Sequence, residues 1–526
     1  MITIAAVRSR RSEHRKVDAA EPSRRLVDRR DAAAAIVAVT LVALAAVIGG
    51  LLYLNGRPVQ ASAAPFYAHW LPHVGPGTPL VVAVAALVVW RGFTVAERLS
   101  WRALVGTAYV AAVVWTLSLA LVDGWQRGVA GRLTTAPEYL HEVPGVTDVS
   151  QMLGGFTGRI LAFQPDSWTT HVAGHPPGAF LIFVWLERLG LGGGAWAAVV
   201  CVLIGSLAAV AVPETVRLLS ASGEAAARAV VPFAVVFPGA VWVGVSADGM
   251  FAGVTAVGVM LLARKRAMAA VAGGALVTFG AYLSYGLVLL APLVLVATLA
   301  GRKARSQPAA GGQNAARRNS ARAGAAQAGG TWADIARAGG ARAGGARADT
   351  ARANGVARRT AGGVAASRRG SSTAAITTVV GGALAGGVAV VAAFSMAGFW
   401  WLDGYHLVVE RYYQGLASIR PYGYWVWANV AALVACAGPT AAVILRRAVA
   451  YVSLDATRLL PLAAAAAILA ADLSGLSKAE TERIWLPFAV WFAAGAALLP
   501  VPGRRTWLAV QAGTALLVNH LLLTSW

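Results

Sequence analysis

The sequence predicts an all-α, polytopic transmembrane protein, and three observations carry that prediction. Hydrophobic residues make up 58% of the 526 and charged residues only 13%. Apolar runs of about 16 to 24 residues recur along the chain, the length a helix needs to cross a bilayer. The formal net charge of +22 is concentrated in Arg8 to Arg30 and Arg302 to Arg369. Such clusters mark cytoplasmic segments under the positive-inside rule and argue against a nucleic-acid-binding face. Cys201 and Cys436 each stand inside an apolar run, as small core residues with no disulfide or metal role.

Residues 1–31 carry mixed charge without an apolar core, which predicts a disordered cytoplasmic tail rather than a cleavable signal. Ala32 to Leu54 is long enough to cross, and the arginines ahead of it place the amino terminus inside. Pro79 to Trp90 returns to Arg91, Arg98 and Arg102, and Ala103 to Val122 leads out again. An outer loop follows, from Asp123 to His175.

The next piece, Gly178 to Leu191, holds about 14 residues interrupted by Glu187 and Arg188, too short to span. Charge gives an independent test. If this piece crosses, the basic clusters Arg264-Lys265-Arg266, Arg302 to Arg369, Arg446-Arg447 and Arg504-Arg505 all fall outside; if it lies on the outer interface, all fall inside. The second arrangement is predicted, with Pro176-Pro177 opening a juxtamembrane helix where amide protons lack partners anyway.

Further crossings are predicted at Ala195 to Val212, Ala229 to Val245, Gly249 to Ala263, Ala267 to Leu283, Ser284 to Ala300, Ala374 to Phe399, Tyr424 to Leu445, Leu459 to Ala471, Ile484 to Leu499 and Trp507 to Thr524. The total is about 13 spans. Residues 32–300 form an amino-terminal transmembrane core that includes the outer loop 123–194, and 374–526 a carboxy-terminal transmembrane region. Between them, 301–373 is nearly pure Ala, Gly, Arg, Ser and Thr, with fourteen basic residues opposed by Asp334 and Asp349. Such a segment buries too little apolar surface to offset its ordering entropy, which predicts a disordered basic cytoplasmic linker, with anionic lipid headgroups as a plausible contact.

This topology gathers chemistry on the outer face: Asp123, Glu138, His141, Glu142, His171 and His175 from the long loop, Asp248 from a short turn, then Glu410, Arg411, Lys478, Glu480, Glu482 and Arg483. Each has a bland counterpart. Asp123 suits a solvated helix end, and Asp248 suits a helix cap. His171 and His175, at i and i+4, have metal-ligand spacing, but Gly174 and Pro176 weaken the helix that would align them. Tyr405 to Gly415 reads either as an interfacial aromatic belt or as a sugar or phosphate contact surface. Lys478 to Arg483 reads as a salt-bridged turn or as cations that hold a phosphate.

An outer carboxylate after an early span, the motif His175-Pro176-Pro177 opening a juxtamembrane helix, about a dozen spans and a late basic-acidic motif together resemble the GT-C superfamily of polyprenyl-phosphate-sugar-dependent glycosyltransferases. The branch most similar holds protein O-mannosyltransferases and lipid A aminoarabinose transferases. The chain departs from that pattern in three places: three spans precede the loop instead of one, Asp123-Gly124 stands for an acidic pair, and Gly178 replaces Leu.

The resemblance implies a plasma-membrane enzyme with an extracytoplasmic site, transferring one sugar from a polyprenyl-phosphate donor to an envelope glycan, lipid or protein with inversion. Asp123, or Glu138, is implied as the catalytic carboxylate. His171, His175, Asp248, Glu410, Arg411, Lys478, Glu482 and Arg483 are implied in substrate binding, with Arg483, Lys478 or Arg411 stabilising the leaving phosphate. No metal ligand is assigned, although a divalent ion, Mg or Mn, is compatible with the chemistry. Two other classes share these features: a multi-span transporter or flippase, which calls for internal repeats and midplane charges, and an envelope-glycan ligase or polymerase.

Overall fold

The computed structural model describes residues 27–301 and 376–524. Most of the expected amino-terminal tail and nearly all of the basic linker lie outside the described residues. Within them the chain is helical apart from one two-stranded ribbon.

Helix α1 (Arg29–Leu54) starts inside the segment expected as tail. Asp28 caps it by accepting from the Arg30 amide, and Asp31 in its first turn is fully buried against Arg446 and Arg447, each 2.5 Å away. A carboxylate near a helix amino terminus is favoured by the helix dipole, and the two guanidiniums offset its desolvation. Strand β1 (Ala68–Trp70), α2 (Thr78–Arg98) and α3 (Trp101–Ala120) follow. Residues 121–175 form a loop of short turns holding α4 (Val149–Gly154) and α5 (Thr170–Gly174). Next come α6 (Pro177–Arg188), α7 (Gly194–Gly205), α8 (Ala208–Leu219), α9 (Glu224–Val235) and α10 (Ala240–Val243). Helices α11 (Ala247–Ala263) and α12 (Ala267–Leu283) pack on each other, α11 also on α7 and α8, and α13 (Ala291–Leu299) ends the first half. The core runs through both halves of the chain, around fully buried Trp115, Trp242 and Trp491.

The second half holds α14 (Ile376–Met396), α15 (Trp401–Gln414), α16 (Tyr422–Ala437), α17 (Pro439–Ala450) and α18 (Ala456–Leu473). The short turns α19 (Thr481–Ile484) and α20 (Leu486–Ala489) lead to α21 (Arg504–Leu521) and β2 (Leu522–Thr524), which pairs antiparallel with β1.

Six helices among the described residues are long and apolar enough to cross a membrane, and a seventh is obtained if the bent pair α16–α17 counts as one span. The chain is therefore a membrane-embedded helical protein. The run expected as one straight span from Tyr424 to Leu445 is instead bent by 104°. The break falls at Gly438, whose φ of +79° only glycine adopts freely, followed by Pro439, which cannot continue the hydrogen-bond ladder. Tyr424 at one end of this pair donates to Ala45, and Arg446 and Arg447 at the other hold Asp31, so the broken pair still follows α1 along its length.

Contacts sort the polar segments into two faces. On a basic face, Arg447 bonds the Leu498 carbonyl as well as Asp31, and Arg504 bonds the carbonyls of Ala497 and Leu499 and feels the charge of Glu97 at the end of α2. On the opposite, loop face lie 55–77, 121–193 and 474–483. Helix α6 decides this partition. Its 12 residues span about 18 Å, against an apolar thickness of about 30 Å. Arg188 at its end bonds the Thr147 carbonyl, and Gly194, which opens α7, abuts Ala130. Both partners belong to the loop that precedes α6, so both ends of the helix lie against that loop.

Candidate functional site

Two charged clusters lie on the loop face. The first centres on Asp123, at the end of the turn that closes α3. Its Oδ1 is 2.7 Å from His73 Nε2 and 3.5 Å from Arg127, one helical turn on; its Oδ2 is 3.5 Å from Arg132. The Nδ1 of His73 lies 2.7 Å from the Leu71 carbonyl, which only accepts, so that nitrogen carries a proton. Arg132 is largely buried, and its Nε and Nη2 make no hydrogen bond among the described residues. Burial lowers the pKa of this guanidinium, and Asp123 only partly offsets that cost. The cluster thus presents a carboxylate, 11% exposed, beside a largely buried cation that it pairs with at 3.5 Å.

The second cluster is deeper and centres on Arg483, 6% exposed. It donates to Asp248 Oδ2 at 2.6 Å and to Glu480 Oε2 at 2.7 Å, and its Nη2 lies 3.1 Å from His171 Nε2. A guanidinium only donates, so His171 Nε2 accepts, while Nδ1 lies 3.2 Å from Glu138 Oε2. Burial acts against the charge on Arg483, but Asp248, Glu480 and Glu138 outweigh it and hold the cation above its ordinary pKa. Burial likewise raises Glu480, and Arg483 with Arg420 overcomes that, leaving the carboxyl below its ordinary value.

Tyr139 joins the cluster to the His-Pro-Pro turn. Its ring stacks on His171 and lies 5.8 Å from His175 and 5.3 Å from Phe183 of α6. His175 stands just beyond α5 and donates through Nδ1 to the His171 carbonyl at 2.9 Å. Burial lowers its pKa to about 4, so the ring is neutral at physiological pH. Pro177 occupies the first turn of α6 as the sequence predicts. Gly178 has a local cause: a Cβ there would lie 2.4 Å from the Tyr282 carbonyl of α12.

The remaining expected site residues divide between the buried network and the surface. Asp248 is no cap: Ser246 holds the cap position, and the Asp248 carboxylate is given to Arg483. Lys478 is buried, its ammonium donating to the Ala417 carbonyl at 2.9 Å and lying 5.3 Å from the Tyr413 ring. Glu482 is 2% exposed; Oε1 accepts from the Tyr67 amide, Oε2 has no hydrogen bond among the described residues, and burial raises its pKa to about 7. Glu410 is exposed on α15, and Arg411 reaches the Trp168 carbonyl at 3.4 Å. The exposed Trp400, Leu402, Tyr413 and Leu416 on and beside α15 suit an interfacial helix.

Sequence reasoning set His73, Arg127 and Arg420 on the outer face without giving them a site role, and it missed Arg132, which follows Asp123 within three turns of chain. The partners of His73 and Arg420, 50 and 60 residues away, were not legible.

The donor set does not fit a resident divalent ion. Asp248 and Glu480 are both taken by Arg483, Glu138 faces His171, and no group of three His, Cys, Asp or Glu among the described residues is placed to hold a metal. The chain matches no protein-family model, no curated protein and no solved structure. Its site is therefore interpreted from its own residues.

Proposed function

We propose that the chain is a membrane glycosyltransferase that moves a single sugar from a polyprenyl-phosphate donor to an acceptor of the cell envelope, with inversion. In this reading it crosses the plasma membrane about 13 times, its amino terminus and basic face are cytoplasmic, and the loop face is extracytoplasmic. The observation that carries the proposal is Arg132 beside Asp123: a carboxylate with one lightly engaged oxygen, next to a largely buried cation that pairs with it only at 3.5 Å. The resemblance through His175-Pro176-Pro177 supports it.

The acceptor hydroxyl gives its proton to Asp123 Oδ2 as its oxygen attacks the anomeric carbon, and the bond from that carbon to the phosphate oxygen breaks. The electron pair leaves with the polyprenyl phosphate, whose growing charge is met by Arg132 and Arg127. His73 fixes the other carboxylate oxygen. The Arg483 network, too enclosed to meet the donor directly, locks the 478–483 turn, the head of α11 and the His-Pro-Pro turn in one register.

A membrane assay with a panel of radiolabelled polyprenyl-phosphate sugars, wild type against Asp123→Asn, tests this. Transfer by the wild type, lost in a variant that inserts normally, is expected. Full activity in the variant removes Asp123 from the mechanism. Movement of the labelled lipid across the bilayer without a new glycosidic bond assigns the chain to a flippase, and transfer of a preassembled glycan to a ligase.

A further inference from the structure

A cavity of about 690 Å³ lies on the loop face between the end of α1 and the segment 58–69, with buried Arg420 behind its wall, 5.2 Å from the Tyr67 ring. That volume is within the range of about 300–1,000 Å³ usual for small-molecule sites. Its floor is made of small residues, Ala46, Gly49 and Gly50 of α1 and Ala63 of the loop. Its polar and aromatic groups are Tyr53, Gln60, Ser62, Tyr67 and His69. No Asp, Glu, Lys or Arg lines it.

That inventory selects a ligand. A phosphate or a phospholipid head requires cations, which the wall lacks, and a bare hydrocarbon chain leaves the amide, hydroxyl and imidazole unused. Flat rings for the apolar face of a sugar, with an amide and a hydroxyl for its hydroxyl groups, suit a neutral carbohydrate. Position connects the cavity with the chemistry. His69 in its wall and His73, which holds Asp123, are four residues apart, so they are separated by at most about 14 Å. The wall is also rigid, since the Tyr67 amide is fixed by Glu482 and Trp425 bonds the Val59 carbonyl.

We infer that this cavity binds the neutral carbohydrate of the acceptor, behind the hydroxyl that meets Asp123, so that the acceptor is a glycan. The inference rests on the transferase reading for the word acceptor, but binding alone tests the cavity. Gly50 provides the variant: it lines the cavity and a Cβ there meets nothing within 4 Å, so Gly50→Trp projects a bulky side chain from an open position in the wall.

The full chain in nanodiscs is titrated with neutral mannan, arabinan and galactan oligosaccharides, and separately with polyprenyl phosphate. One oligosaccharide class binds. Gly50→Trp weakens it at least about tenfold and Gln60→Ala about fivefold, the loss of one hydrogen bond. Polyprenyl phosphate binding is unchanged in both variants. Absence of oligosaccharide binding, indifference to Gly50→Trp in a variant that melts like the wild type, or loss of polyprenyl phosphate binding in its place each overturns the inference. Oligosaccharide binding that obeys both variants while no donor is turned over upholds the cavity and sinks the transferase reading instead.

Discussion

Replacing Glu482 by Gln is expected to stabilise the protein, and only above mildly acidic pH. The carboxyl is buried, with one oxygen on the Tyr67 amide and the other without a hydrogen bond among the described residues, and burial raises its pKa from an ordinary 4.5 to about 7. A folded-state pKa above the unfolded one means that the folded state binds the proton more tightly. The resulting stability is fully present below pH 4.5 and is lost as the pH rises to 7. At 1.36 kcal/mol per pH unit, the interval is worth about 3 kcal/mol. Glutamine keeps an acceptor for Tyr67 and carries no titratable proton. In detergent, thermal unfolding of wild type and Glu482→Gln should coincide near pH 4.5 and diverge to roughly 5 °C in favour of the variant by pH 8. A variant that melts below the wild type at pH 8 would show that the carboxylate is charged and satisfied in the fold, and the argument from burial would fail.

Removing Arg483 leaves Asp248 and Glu480 without their shared cation, so Arg483→Ala should cost about 3–5 kcal/mol. The double variant with Asp248→Ala should cost clearly less than the sum of the singles, and additive melting shifts would deny the coupling. Gly178→Leu should destabilise by about 1–3 kcal/mol because its Cβ meets the Tyr282 carbonyl; an unchanged melting curve would mean that α6 is free to shift off α12. Asp31→Asn should loosen the start of α1 from Arg446 and Arg447, read as faster amide exchange confined to the first turns of α1 and the end of α17, whereas unchanged exchange would count against the clamp.

Much of the fold is legible in the sequence, because the cost of placing a residue in a bilayer is nearly additive along the chain. The run after Arg30 and the short helix after Pro177 follow from hydropathy and residue type. Breaks in spans are less legible. Gly438-Pro439 signals a stop, but its 104° bend depends on what α16 and α17 pack against.

The site was half legible. Residue type and position marked Asp123, Glu138, His171, His175, Asp248 and Arg483 as chemistry-bearing, since charge and imidazole are costly near the membrane unless something holds them. What holds them was decided only in three dimensions. Arg483 meets Asp248 across 235 residues and His171 across 312, whereas Asp123 finds His73 and Arg132 instead of the late basic motif. Local composition sets which groups must be neutralised, and only the packing of distant helices sets by whom, because ion pairing acts over a few ångströms that sequence separation does not measure.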